Sequence, residues 1–437
     1  MDPQREEGAL TARPREGAAP VRAAVALALL AAFLLSARPA HASNKNLEKL
    51  NQAIFGRIVD HSHNHGKDNR YFSPVLGQWR DLYVYLPPGY DPGRPCNLVV
   101  WFHGSFGDEQ MIFVLARLEI LDRLIMSNLC APTIVAIPDC TVTGASGPLT
   151  QHSFMVDGKA GRFEEHFLTE LLPFIERHYA VRKEREAQAL CGVSAGGFSA
   201  FSIGLKHRDR FNVVAGLAPP VNLRCDNVKK KYFADFEPQN YRWREDYRPF
   251  ETVGTFGYGT IRLKESGFIG PVFGPKDKLV ENVRRNNPAD LLYSLDVKPG
   301  EQRYFIRYPK NDNFNIDAQI ESFKWMAEER GLHVDSVRDE EGSHVIDYFQ
   351  DAMIPTWAWL GRNLPASDPV AVGNIAVYIP AAIQTVANKP PAPAAPRPAE
   401  RSPPESATQP PQGAAKPVRP AESRSWFRSP SQWFRKP

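Results

Sequence analysis

Ser194 stands in Gly192-Val193-Ser194-Ala195-Gly196-Gly197, a spacing that could make it a covalent nucleophile. The motif closes an apolar run, Ala189-Leu190-Cys191, and opens a helical pattern through Phe198, Phe201, Ile203 and Leu205. Strand, G-x-S-x-G, helix is the setting of a nucleophile elbow, a turn so sharp that the serine takes a strained backbone and lifts its Oγ above the sheet. Side chains at 192 and 196 would collide across that turn, which calls for glycine at both.

A serine hydroxyl is a weak nucleophile near neutral pH and needs a base within hydrogen-bond reach, held by a third group. In nucleophile-elbow folds the order along the chain is serine, acid, histidine. His207, His333 and His344 follow Ser194. His207 falls on the helix after the elbow, about three turns away. His333 opens a strand, at the end away from the serine. His344, in Glu341-Gly342-Ser343-His344, lies in the loop after that strand and is the one placed to reach Ser194. The acid should follow the strand Tyr304–Tyr308. Asp312 does so, while its competitor Asp317 is expected to cap the next helix. An oxyanion needs aimed N–H donors. Ala195 supplies one, and Ser105, in His103-Gly104-Ser105-Phe106-Gly107, the other. His103 lies upstream of the serine at a strand end and reads as structural.

The elements needed to hold these residues are legible. Asp81–Leu86 alternates, and Leu98–Phe102 is a continuous apolar run, as in a strand covered on both faces. Met111 to Met126 has helical periodicity. Strands at Thr133–Pro138, Ala189–Cys191, Val213–Leu217, Tyr304–Tyr308 and Leu332–Val337 alternate with helices at Phe163–Tyr179, Asp317–Glu329 and Tyr348–Leu360. This predicts an α/β fold, a mostly parallel sheet flanked by helices. The aromatic-rich, irregular stretch 219–287 follows the strand after the elbow and reads both as a cover packing its own rings and as a lid on the site.

The ends differ from this core. A run of 15 apolar residues, Ala23 to Ala37, follows Arg22 and precedes Ala40-His41-Ala42-Ser43. It predicts a signal peptide over 1–42, hence a secreted or periplasmic protein, and is short for a membrane span; the long segment before it leaves an uncleaved anchor as the alternative. The hydrolase-like domain is expected over 43–366, an extension over 367–388, and a disordered Pro/Ala-rich tail over 389–437. Nine Lys/Arg face three Glu in that tail, which gives it +6, more than the net charge of +4, and leaves the rest of the chain at −2. The near-neutral core gives no nucleic-acid groove. The repeats Trp426-Phe427-Arg428 and Trp433-Phe434-Arg435 could contact a membrane or cell wall, or do nothing. The five cysteines admit a Cys96–Cys130 bridge and, more weakly, Cys140–Cys225, with Cys191 a buried free thiol. His61-Ser62-His63-Asn64-His65 could present alternate histidines to a metal, but no carboxylate or cysteine beside it completes a set. No phosphate-binding or dinucleotide fingerprint is present, and neither a cofactor nor a metal is expected.

The chain resembles the esterase D family of α/β-hydrolases, the group that includes the antigen 85 mycolyltransferases and feruloyl esterases. The resemblance runs from Tyr71 to Leu364. It rests on Val84-Tyr85-Leu86-Pro87-Pro88-Gly89-Tyr90, the His-Gly turn at 103–104, Leu171-Leu172-Pro173-Phe174-Ile175, the elbow, Asn287-Pro288-Ala289-Asp290, and Gly342-Ser343-His344. It implies Ser194, Asp312 and His344 as a triad, with oxyanion N–H groups from Ser105 and Ala195. The acid loop lacks the glycine usual after its strand. The expected function is an exported serine esterase acting through an acyl-enzyme on carboxylic esters, such as acyl groups on carbohydrates. Transfer of the acyl group to a sugar hydroxyl, or a non-catalytic surface-binding protein on the same scaffold, are the alternatives.

Overall fold

The computed structural model describes residues 44–145, 150–256 and 260–366. The expected leader over 1–42, the expected extension over 367–388 and the expected tail over 389–437 lie outside the described residues.

Eight strands form the central sheet: β1 (Arg57–His61), β2 (Leu82–Leu86), β3 (Asn97–Phe102), β4 (Thr133–Pro138), β5 (Gln188–Val193), β6 (Val213–Leu217), β7 (Arg303–Pro309) and β8 (Val334–Asp339). Their order is β1-β2-β4-β3-β5-β6-β7-β8. β2 is antiparallel to both its neighbours, β1 and β4, and every pairing from β4 to β8 is parallel. Every residue of β2 through β6 is buried, which is why these strands read as unbroken apolar runs. β8, at the edge, is polar and half exposed.

The helices are α1 (Asn44–Ala53), α2 (Leu118–Met126), α3 (163–178, with a π turn at Phe167–Leu171), α4 (Ala195–Lys206), α5 (Pro288–Ser294), α6 (Ile316–Glu329) and α7 (Ile346–Asn363). α4 is buried from Ala195 to Leu205, so its sequence is apolar all round rather than striped. The periodicity of Met111–Met126 does not become one helix. A short turn at Glu109–Phe113 ends, and α2 starts after Arg117 in the left-handed region at φ 47. The intervening carbonyls are taken by α7: Gln350 donates to Val114 at 3.0 Å, and the Trp357 indole to Ala116 at 2.6 Å.

The stretch 219–287 is more regular than its sequence suggests. It forms two hairpins, Cys225–Asn227 with Tyr241–Trp243 and Thr252–Phe256 with Ile261–Lys264, and short helices. Ile269, Val272, Phe273, Leu279 and Val283 join Phe154, Ala195 and Phe198 in a second apolar cluster. The insertion is therefore packed onto the elbow helix itself.

The bridges expected among the cysteines are not formed, and all five thiols are free. The Cys96 thiol faces the Arg94 carbonyl at 3.6 Å, whereas Cys130 turns to Ala131 and Thr133 and packs on Gly361 of α7. Nor do the histidines of 61–65 share a face, because β1 ends at His61. His61 meets the Tyr179 hydroxyl at 2.6 Å, His63 meets Asp81 at 3.0 Å and His65 meets the Tyr83 hydroxyl at 2.8 Å.

Candidate active site

Parallel strands deliver their following loops to one edge of the sheet, which is where sites form in such folds. Ser194 follows β5, Asp312 follows β7, and His344 lies between β8 and α7. At the elbow Ser194 has φ 53 and ψ −122, a strained conformation for a residue with a side chain. It is held by its own N–H, which donates to the Leu217 carbonyl at 2.8 Å.

Glycine is required here for two separate reasons. A Cβ at Gly192 would lie 2.3 Å from Gly196, across the turn. A Cβ at Gly196 would instead strike the end of β3, 2.2 Å from the Phe102 oxygen and 2.3 Å from that of His103. The second contact joins the elbow to the 103–107 loop, a coupling the motif alone does not reveal. Gly104 brings that loop against the serine: a Cβ there would be 3.5 Å from the Ser194 Cβ.

His344 spans the other two residues. Its Nε2 is 2.9 Å from Ser194 Oγ and its Nδ1 is 2.7 Å from Asp312 Oδ2. The remaining Asp312 oxygen accepts the Phe314 N–H at 2.8 Å, so one carboxylate holds both the imidazole and its own loop. Asp312 is fully buried at its side chain and His344 nearly so. Asp317, the competing acid, does not cap α6 as expected: Asn315 holds the cap position, and Asp317 lies within the first turn and makes no bond to His344. Burial, and then the neighbouring Asp312 charge, push its carboxyl up to about 7, and its Oδ1 has no partner. His207 is bound to Glu164 at 2.9 Å, and His333 is exposed just before β8, paired with Asp335. Neither approaches Ser194.

The oxyanion expectation concerns two backbone N–H groups. Ala195 is the first residue of α4, where the N–H has no acceptor within the helix. Ser105 follows Gly104 on the loop that abuts the serine, and its Oγ is buried without a partner. His103 is not a base. Its Nδ1 is 2.8 Å from the Gly104 carbonyl and its Nε2 takes the Cys140 N–H at 2.8 Å.

Phenyl rings wall the site; the sequence placed Phe256 among the rings of the expected cover or lid over 219–287 but singled out none of the others. Phe314 and Phe349 flank the His344 ring at 4.7 and 4.9 Å. Phe106, beside the oxyanion loop, meets Phe256 at 5.4 Å and Phe268 at 6.3 Å, both from the insertion. Phe256 and Phe268 in turn reach Phe314. Position next to motif residues marks Phe106 and Phe314; nothing local marks Phe256 or Phe268. Ser194 is only 8% exposed beneath them. A separate cleft of about 730 Å³, lined by Lys206, Arg224, Trp243 and Tyr293 among others, sits at the far end of α4. All four of its cations are already paired, Arg224 and Arg284 with Asp290, Lys206 with Glu164 and Arg285 with Glu281.

Residues 73–360 match the family described as Putative esterase. An esterase of Mycobacterium tuberculosis is 28% identical over 177 residues, 39% of this chain and 36% of that protein. Endo-1,4-beta-xylanase Y of Acetivibrio thermocellus is 32% identical over 131 residues, 29% of this chain and 11% of that enzyme. The chain thus spans only part of the curated relatives it matches. A ferulic acid esterase structure shares the fold, with a TM-score of 0.51 at 18% identity, over 71% of this chain and all of that one. With its strand order of an α/β-hydrolase and a family match across 73–360, the chain belongs to the Putative esterase family.

Proposed function

We propose that this protein is an exported serine esterase that cleaves carboxylic esters through an acyl-enzyme. The observation that carries the reading is His344, bonded at once to Ser194 Oγ and to Asp312. In the first half-reaction His344 Nε2 takes the Oγ proton as Oγ bonds to the ester carbon. The carbonyl electron pair moves onto oxygen, which accepts from the N–H groups of Ala195 and Ser105. As the pair returns, the C–O bond to the alcohol breaks and His344 gives its proton to the departing oxygen. Water then repeats the sequence on the acyl-Ser194, releasing the acid. Asp312 keeps the imidazole proton on Nδ1 and stabilises the imidazolium.

Acyl groups on carbohydrates are the substrate class we favour, since one partial relative is named for a polysaccharide, xylan. The phenyl wall supports an acyl part with an apolar face. Export rests on the leader 1–42, and no described helix is long and apolar enough to cross a membrane. Transfer to a sugar hydroxyl instead of water shares every step up to the acyl-enzyme, and the ring-covered serine favours keeping it as the second reading. The C-terminal Trp-Phe-Arg repeats serve retention at a membrane or cell wall in this proposal. A fluorophosphonate should label Ser194 and abolish turnover of acetyl, butyryl and feruloyl esters. Labelling elsewhere, or none, would refute the esterase reading, and product analysis with and without an acceptor sugar separates hydrolysis from transfer.

A further inference from the structure

His103 and His152 are buried beside the serine, and the reaction above uses neither. The peptide joining Gly104 to Ser105 carries the Gly104 carbonyl on one edge and the Ser105 N–H on the other, as in any trans peptide; the described chain contains no cis bond. Fixing that carbonyl therefore fixes where the N–H points. His103 Nδ1 does this at 2.8 Å. Its Nε2 receives the Cys140 N–H, so the ring hydrogen must sit on Nδ1, as the donor to Gly104.

His103 is itself held. Its backbone carbonyl accepts from His152 Nε2 at 3.0 Å, while His152 Nδ1 takes the Phe154 N–H at 2.9 Å. That second bond places the His152 hydrogen on Nε2. The same His103 oxygen is the one a Cβ at Gly196 would strike, so it lies wedged between His152 and the elbow. Burial lowers the basicity of both imidazoles, consistent with neutral rings. The turn that aims His152 is strained: Phe154 and Met155 are successive left-handed residues with φ 55 and 49. Such strain persists only where packing over-determines it. Here Phe154 stacks edge-on to Phe198 of α4 at 5.3 Å and meets Phe273 of the insertion at 5.5 Å.

We propose that His152 is a positioning residue. Acting through His103, it sets the Ser105 N–H relative to the Ala195 N–H and so shapes the site that receives the oxyanion. The proposal rests on the esterase reading above.

The test compares His152→Phe with His152→Gln, whose amide can still donate to the His103 carbonyl. Rates are expressed per fluorophosphonate-titratable site in the full-length protein. Displacing one oxyanion donor costs about 10²-fold. The phenylalanine variant should therefore lose about 10- to 100-fold in kcat with little change in KM. Inhibition by a boronic acid, whose tetrahedral adduct uses the same N–H groups, should weaken by a similar factor, and the glutamine variant should recover most of both. A merely structural role would lower the melting temperature and the number of titratable sites but leave kcat per site and boronate affinity unchanged. That result, or equal losses in Gln and Phe, overturns the proposal. If neither variant folds, ¹⁵N imidazole shifts of the wild-type protein decide: His152 must carry its hydrogen on Nε2 and His103 on Nδ1 between pH 5 and 9, and protonation of either ring in that range overturns it. Should the wild-type protein turn over no ester and take no fluorophosphonate, the esterase reading fails, while the tautomers still report on the clamp.

Discussion

Asp312→Asn should be far more damaging than the loss of one charge suggests, because the surrounding bonds dictate which way the new amide faces. One Asp312 oxygen accepts the Phe314 N–H at 2.8 Å, and an amide NH₂ cannot take that place. The asparagine oxygen must stay there, which turns its NH₂ toward His344 Nδ1, 2.7 Å away in the wild type. Nδ1 then has to accept, so the imidazole hydrogen moves to Nε2, facing the Ser194 hydroxyl at 2.9 Å. Ser194 is left without a base. The equivalent change in a serine protease triad costs about 10⁴ in kcat, equal to about 5.5 kcal/mol of transition-state stabilisation. We expect a loss of about 10³–10⁴ in kcat here. KM should change little, because the Asp312 side chain is fully buried and does not meet substrate. The assay is steady-state hydrolysis of a soluble chromogenic ester from pH 6 to 10, with Asp317→Asn in parallel. Asp317 makes no bond to His344, so that variant should keep kcat within about threefold, well under 1 kcal/mol. If Asp312→Asn retains a tenth of wild-type kcat, or Asp317→Asn falls as far, the assignment of Asp312 is wrong.

Ser194→Ala and His344→Ala should each reduce ester turnover to background while circular dichroism and melting stay near wild type, since residues acting as a unit are lost together. Gly196→Ala should fail more broadly, with a cost of roughly several kcal/mol measurable by chemical denaturation, because its Cβ would stand 2.2 Å from the Phe102 carbonyl. Asp317→Asn has a stability signature. Its folded-state carboxyl, pushed up to about 7, binds a proton that the unfolded chain releases near 4, so wild-type stability falls as pH rises from about 4 to 7. The asparagine variant should match wild type near pH 4 and exceed it above pH 7 by about 1–2 kcal/mol, a figure reduced for partial exposure; melting curves at the two pH values give the sign. Removal of 389–437 should leave turnover of a soluble ester unchanged but reduce sedimentation with membranes or cell-wall material. Replacing Trp426, Phe427, Trp433 and Phe434 by Ala should mimic it.

What the sequence made legible was whatever is fixed by local stereochemistry. The elbow could be read because only glycine fits at 192 and 196, and the buried strands because two covered faces leave no polar positions. Order along the chain and strand ends were enough to single out His344 over His207 and His333. What was not legible depends on contacts between segments distant in sequence. The break before α2 arises from Gln350 and Trp357, more than 230 positions away, taking carbonyls that a continuous helix would have used. Cys96 and Cys130 do precede adjacent parallel strands, but strand register says nothing about where a thiol turns, and Gly361 of α7 gives Cys130 its place. His152 sits in a stretch with no periodicity, and only its carbonyl partner at His103 gives it significance. The insertion shows the same limit most plainly. Its rings could be counted in the sequence, but Phe256 and Phe268 become part of the site only because Gly254 leaves room for Phe314, and because the Thr255 N–H docks on the Asn313 carbonyl at 3.0 Å. The acid loop and the insertion are thus one packed unit. Changes in the insertion should therefore register in the chemistry at Asp312 and His344 as well as in the choice of ester.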